Sequence, residues 1–170
     1  GEAARVHSRL RAAPARDGGL VGGRSDPGMR RADLVWVDDL PGFDWVMDRM
    51  TALVAEGNRQ AFGFDLTEFG ESAQVARYGA EREGHFAWHS DIGRGTWAAR
   101  RKLTVVVQLS DPADYAGGAL ELWPAAQVET APRQRGLATV FPSFILHRVT
   151  PVTTGERFSL TLWAHGPAFR

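Results

Sequence analysis

From Phe62 to Gly166 apolar and polar residues alternate in short runs, the period-two signature of strands with one buried face. Eight such runs are separated by Gly, Pro and Asp: FGFDLTE, SAQVARYG, HFAWHSD, KLTVVVQLS, ALELWP, GLATVFPS, HRVTPVT and ERFSLTLWAHG. Gly117 and Gly118, just before ALELW, predict a tight turn with positive φ. Upstream the period changes. In DWVMDRMTALVAEGNRQ, Val46, Met50, Leu53 and Val54 recur at helical spacing, which predicts an amphipathic helix braced on a sheet, with Gly57 as its stop. LVWVDD before it predicts another strand. The chain up to about Arg11 predicts a short helix, and the following ARDGGLVGGRSDPG, without sustained periodicity, predicts a mobile loop. The whole pattern predicts a mostly β protein: a double-stranded β-helix of jelly-roll or cupin type over residues 31–170, supported by N-terminal helices, with a helix and loop in residues 1–30.

Composition narrows the chemistry. One hundred and seventy residues are enough for one domain around one core. Lys+Arg and Asp+Glu both number 20, so the net charge of zero gives no electrostatic reason to expect a nucleic-acid partner. No apolar run approaches the length of a membrane span, and no basic segment followed by an apolar one opens the chain, so neither a membrane partner nor a signal peptide is expected. The expected compartment is the cytoplasm and the expected state a monomer or homodimer. Zero cysteines remove disulfides and thiolate metal sites together, leaving His and carboxylate as ligands for a transition metal.

Three residues have that character and a suggestive order. A strand places His89 and Asp91 on one face and turns Ser90 away, and His147 follows far downstream in LHR. Two histidines and one carboxylate on one side of an octahedral metal leave open positions, the arrangement of non-haem Fe(II) oxygenases. Arg157, ten residues after His147, shares a strand face with Ser159, so a guanidinium and a hydroxyl are available to a carboxylate. Taken singly, each of these residues is explained by structure: an exposed pair at a strand end, a core histidine, a solvated arginine. Their joint order within an eight-strand pattern favours a site.

The segments Tyr78, HFAWHSD, RRKLTVVVQLS, YAGGALEL, TVFPSFILHRV and GERFSLTLW resemble the 2-oxoglutarate/Fe(II) dioxygenases of the prolyl-4-hydroxylase superfamily, and within it the bacterial PKHD-type hydroxylases. The resemblance runs from about Arg31 to Pro167. It implies Fe(II) on His89, Asp91 and His147, with 2-oxoglutarate chelating through its C1 carboxylate and 2-keto oxygen, O2 as oxidant and ascorbate as reductant. It also implies that Arg157 holds the C5 carboxylate, with Ser159 or Tyr78 assisting, and that Trp163 is the aromatic of the last strand. Where some relatives carry a cosubstrate-binding tyrosine on the strand after H-x-D, this chain has Gln108, and Thr104 on the same face is the other candidate. The implied activity is hydroxylation of an aliphatic C–H in a prolyl or related peptidyl residue. A free amino acid or small metabolite is the alternative substrate, and a cupin-like metal module without turnover is the alternative of another class.

Other signals are weaker. His85 and His89 form H-x-x-x-H, but Phe86 stands where a zinc protease needs Glu, so zinc hydrolysis is rejected. His7 and His165 have no sequence partners and read as surface or hydrogen-bonded structural residues. Arg94, Arg100 and Arg101 in DIGRGTWAARR read either as a solvated loop or as an entrance wall for an acidic substrate. Trp88 and Trp97 read as core or rim packing, or as surfaces for stacking on substrate.

Overall fold

The computed structural model describes residues 1–10, 16–17 and 26–170. In chain order the elements are α1 (Glu2–Leu10), β1 (Arg16–Asp17), β2 (Arg30–Arg31), β3 (Asp33–Trp36), α2 (Asp44–Gly57), β4 (Gln74–Gly79), β5 (His85–His89), β6 (Arg101–Gln108), β7 (Tyr115–Gly117), β8 (Leu120–Trp123), β9 (Glu129–Thr130), β10 (Ala138–Pro142), β11 (Leu146–Val149) and β12 (Val152–His165). They form two antiparallel sheets. The larger runs β1-β3-β4-β12-β6-β10, with β7 on the first part of β12, and the smaller runs β2-β5-β11-β8-β9. This is the jelly-roll architecture that the strand pattern predicts.

Three layers account for the burial. One face of the large sheet, carrying Val75, Leu103, Val105, Val107, Leu160 and Leu162, packs on α2 through Val46, Met50 and Val54, and on α1 through Val6 and Leu10. Its other face meets the small sheet around Ala76, Val106, Leu122, Phe141 and Val149. Every residue of β6 is therefore buried, which suits its near-continuous apolar run between two filled layers. Polar side chains that face the small sheet, such as Thr104, Ser159 and Arg157, lie between layers, where they need partners.

Three expectations need correction. FGFDLTE is not a strand: the helical path continues past Gly57 through Asn58–Phe62 and turns at Gly63, whose φ is +63°. The Asn58 side chain then accepts from the Phe64 N–H and donates to the Phe64 carbonyl, and beside the end of β12, beyond Thr161 where β4 stops pairing, only Glu68 forms an isolated bridge, with His165. The alternating Phe62, Phe64 and Leu66 pack against the helical layer without a ladder. HRVTPVT is two elements: β11 ends at Val149, and beyond Pro151, which has no N–H for a ladder, Val152 opens β12 in the other sheet. LVWVDD is extended only to Trp36 and continues as a 3-10 turn over Val37–Asp39. The expected mobile loop lies mostly outside the described residues, while α1 contributes to the main core and 26–29 form a turn held by the Asp26 carboxylate.

The glycine pair behaves as its sequence requires, with φ of +71° at Gly117 and +60° at Gly118. Among the described residues no helix is long and apolar enough to cross a membrane.

Candidate active site

The pairing of β5 with β11 builds the site's first half, because His89 and His147 are directly opposed across the two strands. Each imidazole is oriented by its own backbone: Nδ1 of His89 lies 2.7 Å from the Ala87 carbonyl, and Nδ1 of His147 lies 2.9 Å from that of Ile145. A carbonyl only accepts, so both Nδ1 atoms carry the proton and both Nε2 atoms present a lone pair to a shared centre. The His89 ring is stacked on Phe86, centroids 3.5 Å apart, and Phe141 meets His147 edge-on at 4.8 Å.

The carboxylate arrives differently. β5 ends at His89, so strand alternation does not place Asp91; its N–H donates to the Ser143 carbonyl at 2.9 Å, and Arg101 donates to its carbonyl at 3.1 Å. Its Oδ2 accepts from Thr104 Oγ1 at 2.8 Å and from Trp163 Nε1 at 2.9 Å. Oδ1 remains for the centre, 3.4 Å from Nε2 of each histidine. The three ligand atoms lie within 4.8 Å of one another. Two neutral nitrogens and one carboxylate oxygen, each with its other polar atom already bonded, fit a divalent cation of the Fe(II) type.

The three groups also act on one another electrostatically. Burial alone would raise the Asp91 carboxyl, but the two imidazoles hold it well below the usual carboxylate range. Burial lowers His89, whereas for His147 the neighbouring Asp91 outweighs burial and raises it.

The cavity between the sheets extends from this triad along the inward face of β12, past Trp163, Thr161 and Ser159 to Arg157. The Arg157 side chain is fully buried beneath the Tyr78 ring, 5.5 Å from its centroid, and donates to Ser159 Oγ at 3.4 Å. Its Nε and Nη2 have no well-aligned hydrogen-bond partner among the described residues. Burial pushes this guanidinium down, an effect that an anionic partner in the cavity would reverse. Gln108 stands opposite Ser159 on the same face, with Oε1 also unpartnered. Thr104 does not reach this end. Its hydroxyl is bonded to Asp91 and to Ser143 at 3.0 Å, so it supports the triad rather than a distal carboxylate.

The expected arginine wall is absent from the cavity lining. Arg101 is buried, donating to both oxygens of Glu71 at 2.7 and 2.6 Å and lying over Trp163 at 3.9 Å. Arg100 pairs with Glu68 at 2.5 Å and reaches the Gly166 carbonyl at 3.3 Å. Arg94 is exposed, and Trp97 packs edge-on against His165 at 5.2 Å. Trp88 packs beside Trp123, with Arg148 over its ring. His85 contacts the carbonyls of Glu83 and Gly28, away from the triad. His165 is fully buried and structural: Nδ1 accepts from the Gly70 N–H, so Nε2 donates to Glu71 at 2.9 Å.

Sequence reasoning missed Glu71, Arg30 and Tyr115. Burial would raise Glu71, but His165 and Arg101 bring it down to about 2. Arg30 lines the cavity, stacked 4.5 Å over Phe86 and bonded to Gln74 at 2.9 Å. The alternation of β2 was too short to reveal it.

A jelly roll with two histidines and one aspartate at the mouth between its sheets defines the class of non-haem iron proteins with open coordination positions. The chain belongs to the 2OG-Fe(II) oxygenase superfamily, whose family model matches residues 73–165. It is similar to a PKHD-type hydroxylase of Hyphomonas neptunium, 40% identical over 72 residues that cover 42% of this chain and 32% of the relative. A PKHD-type hydroxylase of Sphingopyxis alaskensis is 37% identical over 101 residues, 55% of this chain and 45% of the relative. The matched stretches thus span less than half the length of these relatives. In fold the chain is similar to a Trichoplax adhaerens prolyl hydroxylase in complex with a hypoxia-inducible-factor peptide fragment, at TM-score 0.79, 19% identity, and coverage of 97% of this chain and 79% of that one. A Pseudomonas putida prolyl-4-hydroxylase gives TM-score 0.74, 24% identity, and coverage of 97% and 84%.

Proposed function

We propose that residues 31–170 form the catalytic unit of an Fe(II)- and 2-oxoglutarate-dependent hydroxylase. His89, Asp91 and His147 would hold the iron, and Arg157, assisted by Ser159, Tyr78 and Gln108, would hold the C5 carboxylate of 2-oxoglutarate. The observation that carries this reading is the pairing, in one cavity, of a preoriented two-histidine, one-carboxylate centre with a buried guanidinium that has unpartnered donors. A metal module without turnover has no use for that guanidinium.

When bound, iron with 2-oxoglutarate and O2 supplies oxidative decarboxylation to succinate and hydroxylation of an aliphatic C–H. The protein's own groups bind and orient. Arg157 fixes the far end of the keto acid, and the triad fixes the near end. Phe86, Val106 and Val149 line the cavity between them and exclude water. Thr104 and Trp163 keep Asp91 Oδ1 turned to the centre. Ascorbate serves as reductant.

For the primary substrate we propose a prolyl or related peptidyl residue, supported by the prolyl hydroxylases among the fold's neighbours, one with its peptide. One observation favours a second reading: Arg30 adds a guanidinium to the cavity lining, which suits the carboxylate of a free amino acid. The test is incubation with Fe(II), 2-oxoglutarate, ascorbate and O2, followed by mass spectrometry of proline-containing peptides and free amino acids. Gain of one oxygen by a peptide supports the first reading and by an amino acid the second. No succinate from any mixture would refute the hydroxylase.

A further inference from the structure

We propose that Tyr115 is a direct binding group for the distal carboxylate of the dicarboxylic cosubstrate, acting beside Arg157 and Gln108, and that Arg133 positions it. The inference rests on the 2-oxoglutarate reading above.

Three buried residues, Arg157 in the cavity lining and Gln108 and Tyr115 beside that end of it, keep polar atoms without well-aligned partners among the described residues: Nε and Nη2 of Arg157, Oε1 of Gln108 and the hydroxyl of Tyr115. Tyr115 is 5% exposed and Gln108 3%. Such groups normally find a partner in the folded chain, so several together mark a place where the partner is a ligand. They are also neighbours. Gly118 is wedged between Arg157 and Tyr115: a Cβ there would stand 3.1 Å from Arg157 Cδ and 3.3 Å from Tyr115 Cε2. Its φ of +60° further favours glycine. Tyr78 first and then the Tyr115 phenol, which stands close enough to act on Arg157 both as a charge and as a hydrogen-bonding group, favour the guanidinium's charge against burial, while Arg133 opposes it.

Arg133, between β9 and β10, gives the arrangement its chemical sense. Its guanidinium lies 4.5 Å over the Tyr115 ring and donates to the Tyr115 carbonyl at 3.1 Å, pinning both ends of that residue. Among the described residues Arg133 and Arg157 form no ion pair with a carboxylate, so two guanidiniums flank one phenol without a counter-charge. A carboxylate has lone pairs enough for two guanidinium N–H groups and the phenol O–H together. Gln108 can add a donor once its amide makes a half-turn that exchanges oxygen for NH2. A phenol from β7 would then complete the cradle that β6, with Gln108, leaves open.

The test is anaerobic calorimetry on the Fe(II)-loaded protein with two ligands, 2-oxoglutarate and 2-oxobutyrate, which keeps the 2-oxo acid but lacks the distal carboxylate. Tyr115→Phe is expected to weaken 2-oxoglutarate by about 10-fold or more and to leave 2-oxobutyrate unchanged. Arg133→Gln should move the same ligand by a smaller factor. The melting temperature of ligand-free Tyr115→Phe should stay close to that of wild type, because among the described residues the hydroxyl makes no well-aligned hydrogen bond. Equal binding of both ligands by wild type would overturn the dicarboxylate reading and this inference with it. If Arg157→Ala loses the preference for 2-oxoglutarate while Tyr115→Phe keeps it, the reading stands and the role of Tyr115 is refuted. A lowered melting temperature of the ligand-free Phe variant would likewise refute it, since the hydroxyl would then be structural.

Discussion

The two ends of the cavity are built on opposite plans. At the triad every polar atom not aimed at the centre is bonded: both Nδ1 atoms to carbonyls, and Asp91 Oδ2 to Thr104 and Trp163. At the far end Arg157, Gln108 and Tyr115 hold donors and acceptors that lack a well-aligned partner among the described residues. The difference follows from what each end must bind. A metal demands fixed geometry, which a surrounding shell of hydrogen bonds supplies before it arrives. A carboxylate satisfies several donors at once, so a cradle of unpartnered groups gains most when it enters.

Breaking the first plan should have the largest effect. His147→Ala removes a ligand and should abolish tight Fe(II) binding and succinate formation, a loss beyond the ~10–100-fold typical of groups behind a ligand. Metal analysis after anaerobic loading and desalting measures it, and a wild-type metal content would contradict the assignment. Arg157→Ala comes next and should separate the ends: 2-oxoglutarate binding weakens by about 2–4 kcal/mol while iron stays bound. An unchanged KM for 2-oxoglutarate would count against this prediction.

Much of this contrast was legible in the sequence, for a physical reason. His89, Asp91, His147 and Arg157 stand out because buried-looking strands carry few charged or imidazole side chains, and period two fixes which face they share. The unpartnered end was harder. Gln108 stands out only through the resemblance, as a departure from the tyrosine of some relatives, and Tyr115 carries no signal of its own within YAGGALEL. Whether a side chain finds a partner depends on the register between distant strands, which alternation does not reveal. The arginine loop misled for the same reason: Arg101 is matched by Glu71, thirty positions away in a segment with no strand pattern. FGFDLTE alternates as a strand would, yet the Asn58 side chain occupies the backbone N–H and carbonyl of Phe64, and only Glu68 reaches a bridge.

Smaller perturbations sharpen the comparison. Thr104→Val deletes one of the two bonds to Asp91 Oδ2 and should weaken iron by about 10-fold or more, leaving the selectivity for 2-oxoglutarate over 2-oxobutyrate intact. If selectivity fell instead, Thr104 would belong to the far end. The smallest effect is on acid stability. Glu71 ionises at about 2 in the fold against an ordinary 4.5, so its bonds to His165 and Arg101 contribute fully above the ordinary value and are lost as pH falls toward 2. Unfolding free energy followed from pH 5 to pH 2 should decline less steeply in Glu71→Gln than in wild type. Parallel curves would show that the carboxylate is not the titrating group.

The separation of the two ends is tested most directly by anaerobic titration of Fe(II) into metal-free protein, wild type beside Arg157→Ala. One Fe(II) per chain is expected in both, with the same affinity, because the triad is oriented by Ala87, Ile145, Thr104 and Trp163 and not by the far guanidinium. No binding in wild type, or a loss in Arg157→Ala as deep as that in His147→Ala, would contradict it.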